Sequence, residues 1–486
     1  MNWSSIKQKY TLIPLQAKAS LWFLVCSFIQ KSVSLITTPI FTRIMSKEEY
    51  GRFGVFNSWY GIISIFAAMS LTGGVHIQGL VKFDNEQDEF TGAFQGLTTT
   101  LVLCLGIIYL FFQKFWDGVF KLTRFQMVLM FIIIWTTSIF GFWANQQRVK
   151  YSYKKLCAII VFSSILKIIF EILFVEYSND KVTARILGWA VSDLFSFGWI
   201  FLSVLFKGKT FFSFKYWKYA MIFYVPLIPH YLSQTVLNSS DRIMIQRMVG
   251  EGAAGIYLLA YSISLIMMFF NSALLQTISP WIYQKIKEKK NKDISQIAYM
   301  SLIFIGSVNI VLMLFAPEIV LLFAPKSYHD AIWIIPPVAM SVFFVYEYDL
   351  FAKFAFFYEK TFFIMIASCM AAVVNIVLNY YFINIFGYYA AGYTTLICYM
   401  IYAVAHYIFM RIVCNKCCDG NYPYNTKIIF IISITFVAAG SIILTSYLFK
   451  SIRYLLIGLL LIFLILNKNK IGKILNKFMN LKKDVI

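Results

Sequence analysis

The sequence predicts an all-α polytopic membrane protein of about fourteen transmembrane helices. Three observations carry that expectation. Of 486 residues, 60% are hydrophobic and 19% aromatic while only 13% are charged, against roughly 45–50% apolar and about 25% charged in soluble domains. Mean hydropathy is +0.72. Apolar stretches long enough to cross a hydrocarbon core of about 30 Å recur from Leu21 to Leu466. Together they exclude a soluble enzyme, a secreted disulfide scaffold and a single-span anchored domain.

Taken in order, the expected spans are 17–41, 52–73, 90–112, 125–143, 157–176, 183–206, 218–240, 254–279, 294–315, 331–350, 361–383, 387–410, 427–449 and 453–467. The first follows a basic flank (MNWSSIKQKY). It is too long for a cleavable signal and carries Lys31, so it reads as a retained span. No connecting stretch is long enough for a soluble domain. The net charge of +21, from 43 Lys/Arg and 22 Asp/Glu, concentrates at the N-terminus and near 148–155, 207–218, 285–292, 411–427 and 468–483. Short basic loops stay cytoplasmic, which places both termini inside and makes the number of spans even. The charge is topological, and nucleic acid is not an expected partner. The eight cysteines are scattered. Cys414, Cys417 and Cys418 form C-x-x-C-C without the second ligand pair that a zinc site needs, so no metal or cofactor is expected.

The chain echoes itself. Arg43-Ile44-Met45-Ser46-Lys47 runs on to Gly51, and Arg247-Met248-Val249-Gly250-Glu251 runs on to Gly255. An aromatic (Phe53, Tyr257) and a serine (Ser58, Ser262) follow at matching positions, 204 residues apart. Carried backwards, the offset pairs Gln30 with Gln234, Ser34 with Asn238, and Thr37-Thr38 with Asp241-Arg242. Ser27, Gln30, Lys31, Ser34 and Thr37/Thr38 share one face of the first span. Tyr231, Gln234, Thr235, Asn238 and Asp241/Arg242 do the same on the seventh. Such a stripe cannot face lipid cheaply, so it faces protein or a water-filled cavity. The two spans read as equivalent elements of parallel six-helix lobes, 1–206 and 207–412, followed by two further helices and a basic tail, 413–486. Pro39, Pro226 and Pro229 favour kinks in these two spans.

Several charged residues lie inside the apolar spans. Lys31 costs about 3 kcal/mol at mid-membrane on insertion scales. It is either a cation in a wet cavity that attracts an anionic substrate group, or the partner of Asp241 or Asp193. Arg242 offers a bidentate fork for phosphate oxygens, with Asp241 beside it to orient it, or the two pair structurally at a helix end. Arg43 and Arg247 form a basic ring at the mouth of each half, or snorkel to headgroups. Lys167 and Glu171, four apart, form an internal ion pair or a protonation gate. Asp193, Glu347 and Asp349, the last with Lys353 four residues on, are candidates for coupling to H⁺ or Na⁺. His230 and His406 read as packed polar residues, and Trp59, Tyr60, Trp143, Tyr257 and Tyr261 as belt aromatics or sugar-packing surfaces. Gly250–Gly255 spells G-x-G-x-x-G and Gly208-Lys209-Thr210 imitates a phosphate-loop end, but neither has the strand context such motifs need.

At ITTPIFTRIMSKEEYG (36–51), SDRIMIQRMVGEGAAGIYLLAYSI (240–263) and PWIYQK (280–285), the chain resembles the bacterial polysaccharide flippases that handle O-antigen and capsule repeat units. These belong to the multidrug/oligosaccharidyl-lipid/polysaccharide exporter superfamily. The resemblance implies two six-helix lobes around a cationic central cavity. It also implies a non-enzymatic activity, translocation of undecaprenyl-diphosphate-linked oligosaccharide across the bacterial cytoplasmic membrane by alternating access. Membrane lipids and the polysaccharide polymerase machinery are the implied partners. Lys31 and Arg242 are the positions that fit the cationic role, and Thr37-Thr38 departs from a symmetric site. The alternative is an ion-coupled organic-cation antiporter of the related extrusion family, which would carry an acid-dominated cavity.

Overall fold

The computed structural model describes residues 14–418, 420–468 and 472. Most of the basic tail lies outside them, and so does the side chain of Lys31. Every described regular element is helical. In chain order they are α1 (Leu15–Ile44), α2 (Lys47–Ala67), α3 (Gly74–Lys82), α4 (Gln87–Phe111), α5 (Gln113–Phe120), α6 (Arg124–Val149), α7 (Tyr153–Glu176), α8 (Lys181–Gly208), α9 (Phe214–Tyr224), α10 (Ile228–Met248), α11 (Glu251–Ser264), α12 (Met267–Lys287), α13 (Asn291–Leu314), α14 (Ala316–Phe323), α15 (Ile335–Phe357), α16 (Thr361–Phe386), α17 (Ala390–Cys417), α18 (Thr426–Ser446) and α19 (Lys450–Leu466). Among the described residues, nine stretches are long and apolar enough to cross a membrane by themselves, or ten with the bent pair Lys326–Trp333 and Ile335–Phe357. The chain is a multi-pass membrane protein.

Helix starts follow local chemistry. Ser46 and Glu49 close a capping box at α2, with Glu49 N–H donating to Ser46 Oγ at 3.1 Å and Ser46 N–H to Glu49 Oε2 at 2.8 Å. Thr123 and Gln126 do the same for α6, and Asp180 caps α8. In the second half the place of Ser46 is taken by Gly250, whose φ of +137° suits glycine. That glycine opens α11 directly after another helix, so the G-x-G-x-x-G run is a helix start.

The 204-residue echo extends to the helix boundaries. Ends at Ile44 and Met248, and starts at Lys47 and Glu251 and at Gln87 and Asn291, all keep that spacing. The eight-residue helices α5 and α14 occupy equivalent places. Beyond the 3-10 helix Lys326–Trp333 the register lengthens, and the starts Tyr153/Thr361 and Lys181/Ala390 are 208 and 209 residues apart. The same order of elements is built twice, with a short insertion before the fourth span of the second half.

Several expected spans differ in detail, and the eighth is interrupted between α11 and α12. The second ends at Ala67, where a turn with positive φ at Met69 and Ser70 leads through Gly73-Gly74 into α3. The seventh is broken at the 3-10 turn Val225–Leu227, where Pro226 removes a backbone donor, and it runs on to Met248. The tenth starts at Ile335 because Pro336 and Pro337 suit a first helical turn and cannot continue an earlier one.

The chain packs as two compact units, Met1–Thr235 and Val236–Ile486. In the first, glycines bring backbones together. A Cβ on Gly96 would lie 1.8 Å from Phe211 O, and one on Gly92 2.6 Å from Thr210 O. The Gly208-Lys209-Thr210 stretch is therefore a packed connection against α4. A Cβ on Gly188 of α8 would lie 2.8 Å from Glu171 Cα and from Phe170 O of α7. Backbone cannot move aside as a flexible side chain does. Gly188→Ala should therefore cost about 1–3 kcal/mol, visible as a lower melting temperature in detergent, whereas Gly106→Ala, with open space around its Cβ, should not.

Candidate functional site

Among the described residues each unit holds a buried polar cluster on the helices that carry the candidate residues. In the second, Asp241 of α10 is 1% exposed. Its Oδ2 accepts from Tyr257 Oη of α11 at 2.5 Å and from Thr395 Oγ1 of α17 at 2.8 Å, and its Oδ1 accepts from Asn379 Nδ2 of α16 at 2.6 Å. The Asn379 amide also donates to Asn375 Oδ1 at 3.1 Å and accepts from Thr394. Ser240 Oγ donates to Asn375 Oδ1 at 3.0 Å. All these partners are neutral. Burying an anion costs several kcal/mol after relaxation, and three donors offset only part of that. The arrangement suits a carboxylate that takes up a proton or a small cation.

Arg242 does not share this cluster. Its Nη2 donates to Asn238 O at 2.7 Å and to Ser239 Oγ at 3.2 Å, and its guanidinium carbon lies 5.1 Å from the Tyr261 ring centroid. Successive residues of a helix point about 100° apart, so Asp241 faces the helix packing while Arg242 faces another way. The expectation that Asp241 orients Arg242 is thus corrected. Asn238 Oδ1 accepts from Tyr261 Oη at 3.2 Å and from Tyr399 Oη at 3.0 Å. Tyr257, bonded to Asp241 and fully buried, offers no face to a sugar.

In the first unit, Glu171 of α7 is the centre. Arg185 Nε of α8 lies 3.3 Å from Glu171 Oε2, and Lys167 Nζ lies 3.7 Å from Oε1. The expected Lys167–Glu171 pair is present, but the closer and more buried partner is Arg185. The Arg185 guanidinium is also 3.6 Å from the Phe41 ring centroid and 3.7 Å from that of Phe53. Lys167 Nζ sits 3.6 Å from the Trp189 ring centroid. Trp189 Nε1 donates to Asp193 Oδ2 at 3.0 Å, and Thr137 Oγ1 does so at 3.4 Å.

The two clusters occupy equivalent places in the repeat. The early offset of 204 carries Thr37 to Asp241 and Phe53 to Tyr257. The later offset of 208–210 carries Lys167 to Asn375, Glu171 to Asn379 and Arg185 to Thr394 and Thr395. Where the second half has a carboxylate among neutral donors, the first half supplies its own cations. Sequence reading missed Arg185, Asn375, Asn379, Thr394 and Thr395. Extending the echo past the third span, with its slip of four to six residues, would have found them.

On α1, Gln30 and Ser34 are exposed on the face opposite the exposed apolar residues Leu21, Leu24, Val25, Phe28 and Ile36, so this polar stripe is turned away from the apolar one. Thr37 and Thr38 are buried, and both donate to Ser34 O. Lys31 lies on this helix, but its side chain is outside the described residues. Gln234 is half-buried, and Arg43 and Arg247 are exposed at helix ends. Arg43 Nη1 donates to Pro39 O at 2.6 Å. Glu347 is buried and accepts from Ser433 Oγ at 2.8 Å, and Asp349 pairs with Lys353 at 3.7 Å.

The sequence matches the family described as polysaccharide biosynthesis protein over residues 17–285, more than half of the 486. The chain belongs to that family. Among curated relatives of this family member, protein 1 of the Lsg locus of Haemophilus influenzae is 24% identical over 380 residues, 74% of this chain and 89% of its own. A second membrane protein of that organism is 22% identical over 369 residues, 74% of this chain and 88% of its own. In fold, the family member is similar to the lipid II flippase MurJ in an inward closed conformation. The TM-score is 0.68 at 16% identity, over 93% of this chain and 99% of that one. It is also similar to an inward-facing multidrug resistance MATE family transporter of the MOP superfamily, with a TM-score of 0.61 at 16% identity over 79% and 94% of the two chains.

Proposed function

We propose that the protein is a flippase that moves undecaprenyl-diphosphate-linked oligosaccharide repeat units from the cytoplasmic to the outer leaflet of the bacterial cytoplasmic membrane by alternating access. It carries out no covalent chemistry. The family membership supports a role in polysaccharide biosynthesis, and the observation that carries the reading is the polar face of α1, exposed and opposite the helix's apolar face. A charged headgroup needs such a path, because moving even one carboxylate-sized ion into low dielectric has an idealised cost of order 20 kcal/mol. In this reading the six-helix halves are 1–206 and 207–412, with 413–486 appended, both termini are cytoplasmic, and a polysaccharide polymerase receives the product. Lys31 and Arg242 take the diphosphate, Gln30, Ser34, Gln234 and Asn238 line its way, and Arg43 and Arg247 hold headgroups at the outer mouths. Asp241 serves coupling to H⁺ or Na⁺ better than Asp193, Glu347 or Asp349, since it combines full burial with three neutral donors. Lys167 and Glu171 belong to the first half's charge cluster.

One charge-assisted hydrogen bond is worth about 1.5–3 kcal/mol, roughly 10- to 150-fold in affinity. Lys31→Ala with Arg242→Ala should therefore abolish surface polysaccharide in a flippase-null host while leaving membrane insertion intact. Undiminished polysaccharide would reject the site. The buried carboxylate Asp241 also favours a second reading, ion-coupled export of organic cations. Proteoliposomes that move an organic cation but no lipid-diphosphate sugar would establish that one instead.

A further inference from the structure

We propose that Lys167 is an anion-binding subsite of the first half and contacts a phosphate oxygen of the lipid-linked headgroup, an assignment that rests on the flippase reading above. The placement of its charge points there. On α7 the exposed apolar residues Phe162, Ile165, Ile169 and Leu173 share one face. Lys167 lies on the opposite face with Glu171. Yet its side chain is 29% exposed, whereas that of Glu171 is 4% exposed. The exposure of Lys167 is therefore on the side of the helix turned away from its exposed apolar face.

The ammonium is held by two carboxylates, Glu171 and the nearby Asp193, neither of which takes a hydrogen bond from it. At 3.7 Å from Glu171 Oε1 it feels the carboxylate but stands beyond the 2.7–3.2 Å of an N–H···O bond. Glu171 already has the nearer Arg185 guanidinium at 3.3 Å. The Trp189 ring, 3.6 Å from Nζ, fixes the far end of a stem that would otherwise lose rotamer freedom on binding. Lysine has three donors, and neither an aromatic face nor a long ion pair takes a directed bond from them. Arg185 is unsuited to the task, because its guanidinium lies between Phe41, Phe53 and Glu171. Lys353 pairs with Asp349 at 12% exposure.

The test uses the purified full-length protein in phosphatidylcholine nanodiscs and an amine-acylating reagent, with labelling of Lys167 read by mass spectrometry. A C15 isoprenyl diphosphate should slow Lys167 acylation at least several-fold, and the matching isoprenol should not. Lys167→Met, which keeps the apolar stem over Trp189, should weaken binding of the isoprenyl diphosphate about tenfold or more, the equivalent of one charge-assisted hydrogen bond, and Lys167→Arg should restore it. Unprotected Lys167 with unchanged affinity in Lys167→Met overturns the proposal. Weakened binding in Lys167→Met without protection of the wild-type amine also overturns it, since the residue then acts only by positioning. Protection by inorganic pyrophosphate but not by the isoprenyl diphosphate keeps the anion site and rejects the lipid headgroup as its occupant. Failure of the flippase reading looks different: the wild-type protein would bind isoprenol and isoprenyl diphosphate equally.

Discussion

Asp241→Asn should yield a folded, monodisperse protein whose translocation no longer responds to a Na⁺ or H⁺ gradient in proteoliposomes. The substitution keeps the shape of the side chain and one acceptor oxygen for Tyr257 and Thr395, which now bond the carboxylate at 2.5 and 2.8 Å. It removes the one feature a proton or cation needs, the negative charge. Asp241→Ala should do worse. It leaves the hydroxyls of Tyr257 and Thr395 and one of the two amide N–H groups of Asn379 without their acceptor, at about 1–3 kcal/mol for each buried donor left unsatisfied. Even if one hydroxyl rotates to a new acceptor, a loss of roughly 3 kcal/mol should appear as a lower melting temperature. Full gradient response in Asp241→Asn would remove this residue from coupling and return attention to Asp193, Glu347 and Asp349.

The second large effect is expected at Arg185. Arg185→Met leaves Glu171 buried with Lys167 alone, at 3.7 Å. Breaking a buried ion pair by removing one partner costs about 3–5 kcal/mol, whereas replacing both partners by neutral groups is often close to neutral. Arg185→Met should therefore fail to accumulate in the membrane, and Arg185→Met with Glu171→Gln should recover most of the yield and melting temperature. This pairing separates electrostatics from packing. If the double variant is as unstable as the single one, the contacts of Arg185 with Phe41 and Phe53 carry the stability and the ion pair does not.

Much of the fold was legible in the sequence. Apolar runs, the scarcity of charge and the 204-residue echo pointed to a helical membrane protein built twice, because a chain in lipid must satisfy its backbone internally. Internal breaks were less legible. Proline marked the interruption at Val225–Leu227, but no proline or glycine stands at the break between α11 and α12 near Leu265. Spacing on one helix reveals the pair Lys167 and Glu171, whereas no spacing rule links Glu171 to Arg185, fourteen positions away on the next helix. Its place four residues into α8 looks like that of any cation near a helix end.

Composition and periodicity by themselves determined that this is a multi-pass helical protein with a polar stripe on its first span, since those properties depend only on residues within one helix turn of each other. Which carboxylate receives which donor was decided by tertiary structure alone. Asp241 and Arg242 are neighbours in sequence, yet the helix turns one into a buried ring of neutral hydroxyls and amides and the other onto Tyr261. Glu171 meets Arg185 because Gly188 lets α8 lie against the backbone of α7. Contacts between helices depend on crossing geometry and close approach, which pattern along a single chain does not encode.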